Sequence, residues 1–237
     1  MRIDKFLSNM GYGSRKEVKI LLKSKAVEVN GKEIRDPKVH INELSDEVTV
    51  GGERVEYAEF IYLLMNKPQG VISATEDKYD RTVIDLLEEE EQNFEPFPVG
   101  RLDKDTEGFL LLTNDGKLAH ELLSPKKHVD KRYFAIIDGE VTEEDGAAFE
   151  NGVVLDDGYK TKPAVLKILK SGAVSEIELT ITEGKFHQVK RMFQSVGKEV
   201  TYLKRLSMGP LELDPALALG EYRHLAEEEI ERLKQRK

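Results

Sequence analysis

Hydrophobic positions change period along this chain, and each change predicts an element. Ile3, Phe6, Leu7 and Met10 recur at three- and four-residue intervals, and Gly11 and Gly13 end the helix they predict. Ser14 followed three residues later by Glu17 is a capping-box pair, in which each side chain satisfies a backbone N–H at a helix start. The second helix it opens buries Val18, Leu21 and Leu22 and turns Arg15, Lys16, Lys19 and Lys23 outward. The period then falls to two. Val27-Glu28-Val29, Asn30-Gly31 and Lys32-Glu33-Ile34 predict a hairpin, because both turn positions tolerate positive φ. Val48 and Val50 predict one more strand before Gly51-Gly52, and the polar stretch to Glu59 reads as a linker. The expected division is a small unit over residues 1–58 and a larger one over 59–237.

Beyond the linker the pattern is strand-rich. Phe60–Met65, Phe109–Thr113, Tyr133–Ile137, Val165–Leu169, Glu176–Thr182 and Val200–Leu203 mix full apolar runs with alternation. Helical spacing stands out in only three places, Val83–Glu90, Lys185–Val196 and Ala226–Gln235. Many strands with few scattered helices predict an α+β fold with a mainly antiparallel mixed sheet. No repeat at a solenoid period is present.

Composition narrows the chemistry. Among 237 residues there is no cysteine, which excludes disulfides, thiolate nucleophiles and cysteine-ligated zinc, and suits a reducing cytoplasm. The five histidines lack ligand-like spacing. The longest apolar run, Phe60–Met65, is too short to cross a bilayer, and charged residues at positions 2, 4 and 5 leave no secretory stretch at the start. A cytoplasmic protein without membrane attachment is the expectation.

Net charge of −9 argues against a nucleic-acid partner until its distribution is considered. Residues 1–25 carry seven basic side chains against two acidic ones, and residues 183–210 carry six against two. Phosphates respond to local potential within about 8 Å at physiological salt, so these islands outweigh the total. From charge alone, a phosphate-binding surface and two solvated helix faces are equally good readings.

Two segments concentrate reactive groups. In Gly100–Gly116 a polar loop with Arg101, Asp103, Asp105 and Thr106 leads straight into an apolar strand, and loops braced by rigid strands often carry function. A turn-capping Asp fits that pattern as well as a reactive one. In Glu183–Phe193, Val189, Met192 and Phe193 form with Val196 an apolar stripe, and Gly197 supplies a left-handed end. His187, Lys190, Arg191 and Gln194 occupy the opposite side, which suits contact with phosphates and a carboxylate, or simply with water.

The order of motifs is specific where each alone is not. The first fifty residues, with Met-Arg-Ile-Asp-Lys-Phe-Leu, the Ser14-Arg15 cap and the Val-Asn-Gly turn, resemble the small RNA-binding module named after the S-four ribosomal protein. Leu64-Met-Asn-Lys-Pro-Gln-Gly70, Gly100-Arg-Leu-Asp103, Thr113-Asn-Asp-Gly116, Lys131-Arg-Tyr133, Thr161-Lys-Pro-Ala164, Glu183-Gly-Lys-Phe-His-Gln-Val-Lys-Arg-Met192 and Leu203-Lys-Arg-Leu-Ser-Met-Gly209 together resemble bacterial ribosomal RNA pseudouridine synthases. Within them the likeness is strongest to the branch acting on small-subunit 16S rRNA.

That resemblance implies a catalytic domain of pseudouridine synthase type, no metal or cofactor, and an enzyme that detaches uracil from its ribose, rotates it and rejoins it through carbon five. It implies Asp103 as nucleophile, Lys190 as its basic partner with Arg191 as the adjacent alternative, and Tyr133 covering one face of the uracil. Arg101 is expected as a wedge or phosphate contact, and Leu203 beneath the base. His187 and Gln188, with Arg15, Lys16 and Lys19 on the second helix, are expected to contact RNA. The partner implied is ribosomal RNA or an assembling small subunit, bound by a monomer. The chain departs from the family pattern at Leu225-Ala226, where relatives place a Thr cap, so the last helix is expected to fray or start differently. Further departures are Phe134 after the Lys-x-Tyr motif and Phe109 at a usually aliphatic position.

Rival readings remain on residues alone: a non-catalytic ribosome-assembly factor, a large-subunit rRNA enzyme, a metal-dependent nuclease built on Asp103, Asp105 and Asp115, or a glycosidase-like pair of Asp103 with Glu107 or Glu183.

Overall fold

A computed structural model describes residues 1–55, 57–124 and 127–235 and divides the chain into two compact units. The first comprises Met1–Ile61 together with Leu87–Pro96. Its helices are α1 (Ile3–Asn9) and α2 (Arg15–Lys23), and its strands β1 (Val27–Val29), β2 (Lys32–Glu33), β3 (Val48–Val50) and β4 (Glu53–Arg54) lie in the order β2-β1-β3-β4. The capping box forms as the sequence dictates: Ser14 N–H donates to Glu17 Oε2 at 2.8 Å and Glu17 N–H to Ser14 Oγ at 3.4 Å. Asn30 and Gly31 take φ of +51° and +72°, the geometry that ties β1 to β2. Ile3, Phe6, Leu7, Val18, Leu22, Val27 and Val48 build the core, with Met10 and Leu21 only partly buried at its margin. The polar stretch read as a linker begins instead as a strand, because Gly51-Gly52 turns the chain back and β4 pairs with β3.

A single helix over Val83–Glu90 is not formed. Ile84–Leu86 make one 3₁₀ turn, capped where the Asp85 carboxylate accepts from Thr82 N–H at 2.7 Å. Glu88 is extended, and α3 (Glu89–Gln92) follows as a separate turn of helix that clusters with the first unit. Glu89, Glu90 and Glu91 fall in the first turn of α3, where a helix N-terminus favours carboxylates, so they suit a new helix start.

The second unit, Tyr62–Leu86 with Phe97–Lys237, is organised by one mixed sheet. Its strands are β5 (Tyr62–Lys67), β6 (Phe97–Pro98), β7 (Glu107–Thr113), β8 (Lys131–Asp138), β9 (Val165–Lys170), β10 (Val174–Ile181), β11 (Glu199–Met208), β12 (Leu211–Glu212) and β13 (Tyr222–His224). The order is β13-β5-β7-β11-β8-β10-β9, with β6 on β7 and β12 on β11. Every described strand pairing is antiparallel except β7 with β11. At that parallel seam Gly108 (φ +101°) lies so close to Arg205 that an added Cβ would meet its carbonyl oxygen at 2.2 Å, so no side chain fits there.

Among the described residues, four helices accompany this sheet: α4 (Gly116–Leu123), α5 (Glu143–Asn151), α6 (Gln188–Ser195) and α7 (Glu227–Lys234). Periodicity does not predict the first two. Asp115 accepts from Leu118 N–H at 3.0 Å and so converts the Asn-Asp-Gly turn into a helix start. For α5 the signal is Thr142 with Asp145, whose carboxylate accepts from Thr142 N–H at 2.8 Å. Helix α7 starts cleanly without a Thr cap: Glu229 reaches back to Ala226 N–H at 2.9 Å and is gripped by Arg223 through bonds of 2.7 and 2.9 Å. Phe109, Leu111, Leu118, Met208 and Leu233 belong to one core cluster beside β5 and β7.

Candidate active site

The loop between β6 and β7 carries Asp103, and three groups fix its backbone. Lys67, fully buried at the end of β5, donates from Nζ to the carbonyls of Pro68, Asp103 and Thr106, each at 3.0 Å. Ser73 Oγ donates to Leu102 O and accepts from Leu102 N–H, both at 3.0 Å. Gly70 N–H donates to Lys104 O at 2.8 Å. Burial pushes the Lys67 pKa down to about 8, against the upward pull of Asp103, Asp105 and Glu107. Three carbonyl acceptors match the three donors of an ammonium group, so this buried cation is satisfied.

With its backbone pinned, Asp103 presents its carboxylate to α6. Lys190 Nζ stands 3.3 Å from Asp103 Oδ2 and 2.6 Å from Asp105 Oδ1. His187 Nε2 is 3.6 Å from Asp103 Oδ1. The Lys190 hydrogen bond is the largest of the effects that hold the Asp105 carboxyl below the usual carboxylate range. One ammonium therefore bridges two carboxylates of the same loop.

Helix α6 starts at Gln188, later than its apolar spacing suggests. His187 precedes it in the left-handed region at φ +48°, and Gln188 turns inward. Gln188 Oε1 accepts from Lys185 N–H at 2.8 Å while its Nε2 donates to Glu183 Oε1 at 2.8 Å. This internal brace is what carries the Lys185–His187 loop. Phe186 stays exposed, with its ring stacked on His187 at 3.7 Å between centroids.

A cavity of about 70 Å³ lies at Asp103, lined by Arg101, Leu102, Tyr133, Ile181, His187, Gln188, Val189 and Leu203 among others. Tyr133 reaches it from β8 and Leu203 from β11, on the inward face of each strand. Lys190 supports Asp103 from behind the lining. The structure therefore brings Asp103, Tyr133, Lys190, Leu203, Arg101, His187 and Gln188 together. Arg191 is not among them. It turns the other way around α6 and pairs with Asp156 and Asp157, the latter at 2.7 Å. Arg15, Lys16 and Lys19 lie exposed on α2 of the other unit.

The carboxylates that the rival readings require are engaged elsewhere. Asp115 caps α4 and accepts from Tyr62 Oη at 2.9 Å. Glu107 accepts from Tyr202 Oη at 2.6 Å, and burial together with that bond pushes the Tyr202 pKa up. Glu183 is buried and accepts from Tyr159 Oη, Lys162 N–H and Gln188 Nε2. Lys67 and Arg205, both buried near this loop, escape a reading of the sequence as functional candidates. Their only signal there is their place inside the motifs, at Asn-Lys-Pro and Leu-Lys-Arg.

Residues 61–195 match the RNA pseudouridylate synthase family and residues 1–48 the S4 domain. The chain is 62% identical to the uncharacterized RNA pseudouridine synthase YtzG of Bacillus subtilis (strain 168), over 97% of each chain. It is 41% identical to ribosomal large subunit pseudouridine synthase B of the same organism, over 98% of this chain and 95% of that one. It is 37% identical to ribosomal small subunit pseudouridine synthase A of Yersinia pestis, over 97% of each. A crystal structure of a pseudouridylate synthase aligns over 98% of this chain and 99% of that one, with a TM-score of 0.69 and 36% identity. The chain belongs to the RNA pseudouridylate synthase family, enzymes that isomerise uridine to pseudouridine in RNA, and it carries an N-terminal S4 domain.

Proposed function

We propose that the substrate is a uridine of ribosomal RNA, in the small-subunit 16S molecule, and that Asp103 is the nucleophile. The observation carrying this reading is the cavity where Asp103, Tyr133 and Leu203 meet, with Lys190 at 3.3 Å behind the carboxylate. Full-length likeness to a small-subunit enzyme supports the target, and the 41% identity to a large-subunit enzyme favours 23S rRNA as the second reading.

The uridine leaves its stack to reach the cavity, a step costing a few kcal/mol. Tyr133 covers one face of the base and Leu203 the other, and stacking contributes about 1–3 kcal/mol. Asp103 attacks or stabilises the sugar carbon as the bond to uracil N1 breaks. The detached base rotates between Tyr133 and Leu203 and bonds to the same carbon through C5. Asp103 is released from the sugar carbon as C5 bonds to it. C5 then gives up its proton while N1, freed of the ribose, takes one up, so the product is an isomer and no electrons are gained or lost. Lys190, 3.3 Å from Asp103 Oδ2, aims the carboxylate and offsets its charge. Arg101 at the rim enters the space the base vacates or contacts a phosphate. Residues 59–237 perform this chemistry.

Residues 1–58 supply affinity through Arg15, Lys16 and Lys19, by phosphate contact. His187 and Gln188 position the loop that meets the RNA. The protein acts in the cytoplasm as a monomer on rRNA or an assembling subunit; no described helix is long and apolar enough to cross a membrane. Pseudouridine mapping of 16S and 23S rRNA from cells with and without the protein tests the target. Loss of one 16S pseudouridine is expected. Loss confined to 23S selects the second reading, and no loss in either refutes both.

A further inference from the structure

Tyr133, Arg101, Gly184 and Lys185 line two cavities in common, and Asp103 lines only the smaller. The other, of about 210 Å³, is lined by Arg205, Lys131, Lys185 and Arg101 with Tyr159 and Glu183. Its charge is lopsided. Glu183 is the one carboxylate among its described lining residues, and both of its oxygens already accept from Tyr159, Lys162 and Gln188 within the scaffold.

Arg205 is the unexplained group. It faces Tyr133 across β11 and β8 and is only 2% exposed. Its Nε donates to Phe109 O at 2.8 Å, yet its buried Nη2 has no acceptor among the described residues. A guanidinium is permanently charged, so burial cannot neutralise it as it can a lysine. Leaving one of its donors unpaired in the interior is costly unless an anion arrives. Lys67, which feels Arg205 as a like charge, adds to that demand.

We propose that this second cavity binds a phosphate of the extruded nucleotide, with Arg205 Nη2 as its buried ligand and Lys185 and Arg101 closing over it from the rim. This deepens the uridine-isomerising reading and rests on it. The fork of a guanidinium matches phosphate oxygens. Lys185 is exposed, and its ammonium sits over the Tyr159 ring at 4.3 Å, which holds it at the mouth. Because Tyr133 lines both spaces, a phosphate seated on Arg205 would register the attached uracil against Tyr133 and beside Asp103.

The full chain, titrated by NMR with uridine, uridine 5′-monophosphate and uridine 3′-monophosphate, tests this. One of the two nucleotides should bind about tenfold tighter than uridine, the size expected of a charge-assisted contact. That advantage, read as the ratio of nucleotide to uridine affinity, should vanish in Arg205→Met and shrink in Lys185→Ala. Arg205→Met keeps the packed stem and lies outside the Asp103 cavity, so uridine affinity stays constant in it. If Arg205→Met does not fold, Lys185→Ala, altered only at an exposed position, still reads the effect. Equal binding of nucleoside and both nucleotides overturns the proposal, as does no detectable nucleotide binding or an advantage that persists in every folded variant. Failure of the uridine reading shows separately, as absence of pseudouridine in RNA incubated with the wild-type protein.

Discussion

The ammonium of Lys67 donates to the backbone carbonyl of Asp103 at 3.0 Å. The proposed nucleophile is thus held from its main chain by a cation 36 residues earlier, while its side chain is served by another on α6. Lys67→Met keeps the aliphatic stem but leaves three carbonyls without this donor. We expect a loss of about 3 kcal/mol or more in urea unfolding. In the fraction that folds, kcat should fall about 100-fold, because an ångström of misplacement is enough to do so.

Titration of Lys67 should separate activity from stability. Its pKa of about 8 lies below that of an unfolded lysine, so the folded protein holds this proton less tightly than the unfolded chain. Between about pH 8 and 10 its deprotonation therefore favours the folded state, yet removes one donor from the Asp103 loop. A kcat profile should decline with a midpoint near pH 8 while thermal stability shows no matching decline from this group. The same decline in a folded Lys67→Met variant would assign it to another residue.

Lys190 is shared, and the shorter of its two bonds goes to Asp105. Asp103→Asn should abolish pseudouridine formation, by roughly 10⁴-fold or more, with RNA affinity nearly unchanged. Lys190→Met should lower kcat about 100-fold, and Lys190→Arg should recover part of it. Asp105→Asn leaves Lys190 to Asp103 alone, and its effect should stay within about tenfold. Arg191→Ala, whose partners are Asp156 and Asp157, should change turnover by no more than about twofold. Single-turnover assays on one RNA fragment rank all of these variants.

The basic face of α2 should act on affinity and not on chemistry. Replacing Arg15, Lys16 and Lys19 with alanine should weaken RNA binding uniformly across sequences. It should also flatten the dependence of log K on log salt, by about one unit for each phosphate no longer engaged. The rate at saturating RNA should be unchanged. A fall in that rate with an unaltered salt slope would contradict the role proposed for this helix.

Much of this molecule is set by short-range rules that a sequence carries openly. The Ser14–Glu17 box, the Asn30-Gly31 turn and the alternation in β8 and β10 are local, so the elements they specify stand where the pattern puts them. The Asp103 motif and the basic helix α6 that faces it are legible as well, through the order of motifs along the chain. Tertiary structure decided what depends on distant neighbours. Whether Lys190 or the adjacent Arg191 meets Asp103 is a matter of helix rotation, and Asp156 and Asp157 take Arg191 from the other side. Gln188 reads as a surface residue and is a buried brace because Glu183 and Lys185 fold back over it. Lys67 and Arg205 read as ordinary cations beside strands. Only the pairing of β5 with β7, and the parallel approach of β11 at Gly108, enclose them and convert their charge into a demand for specific acceptors.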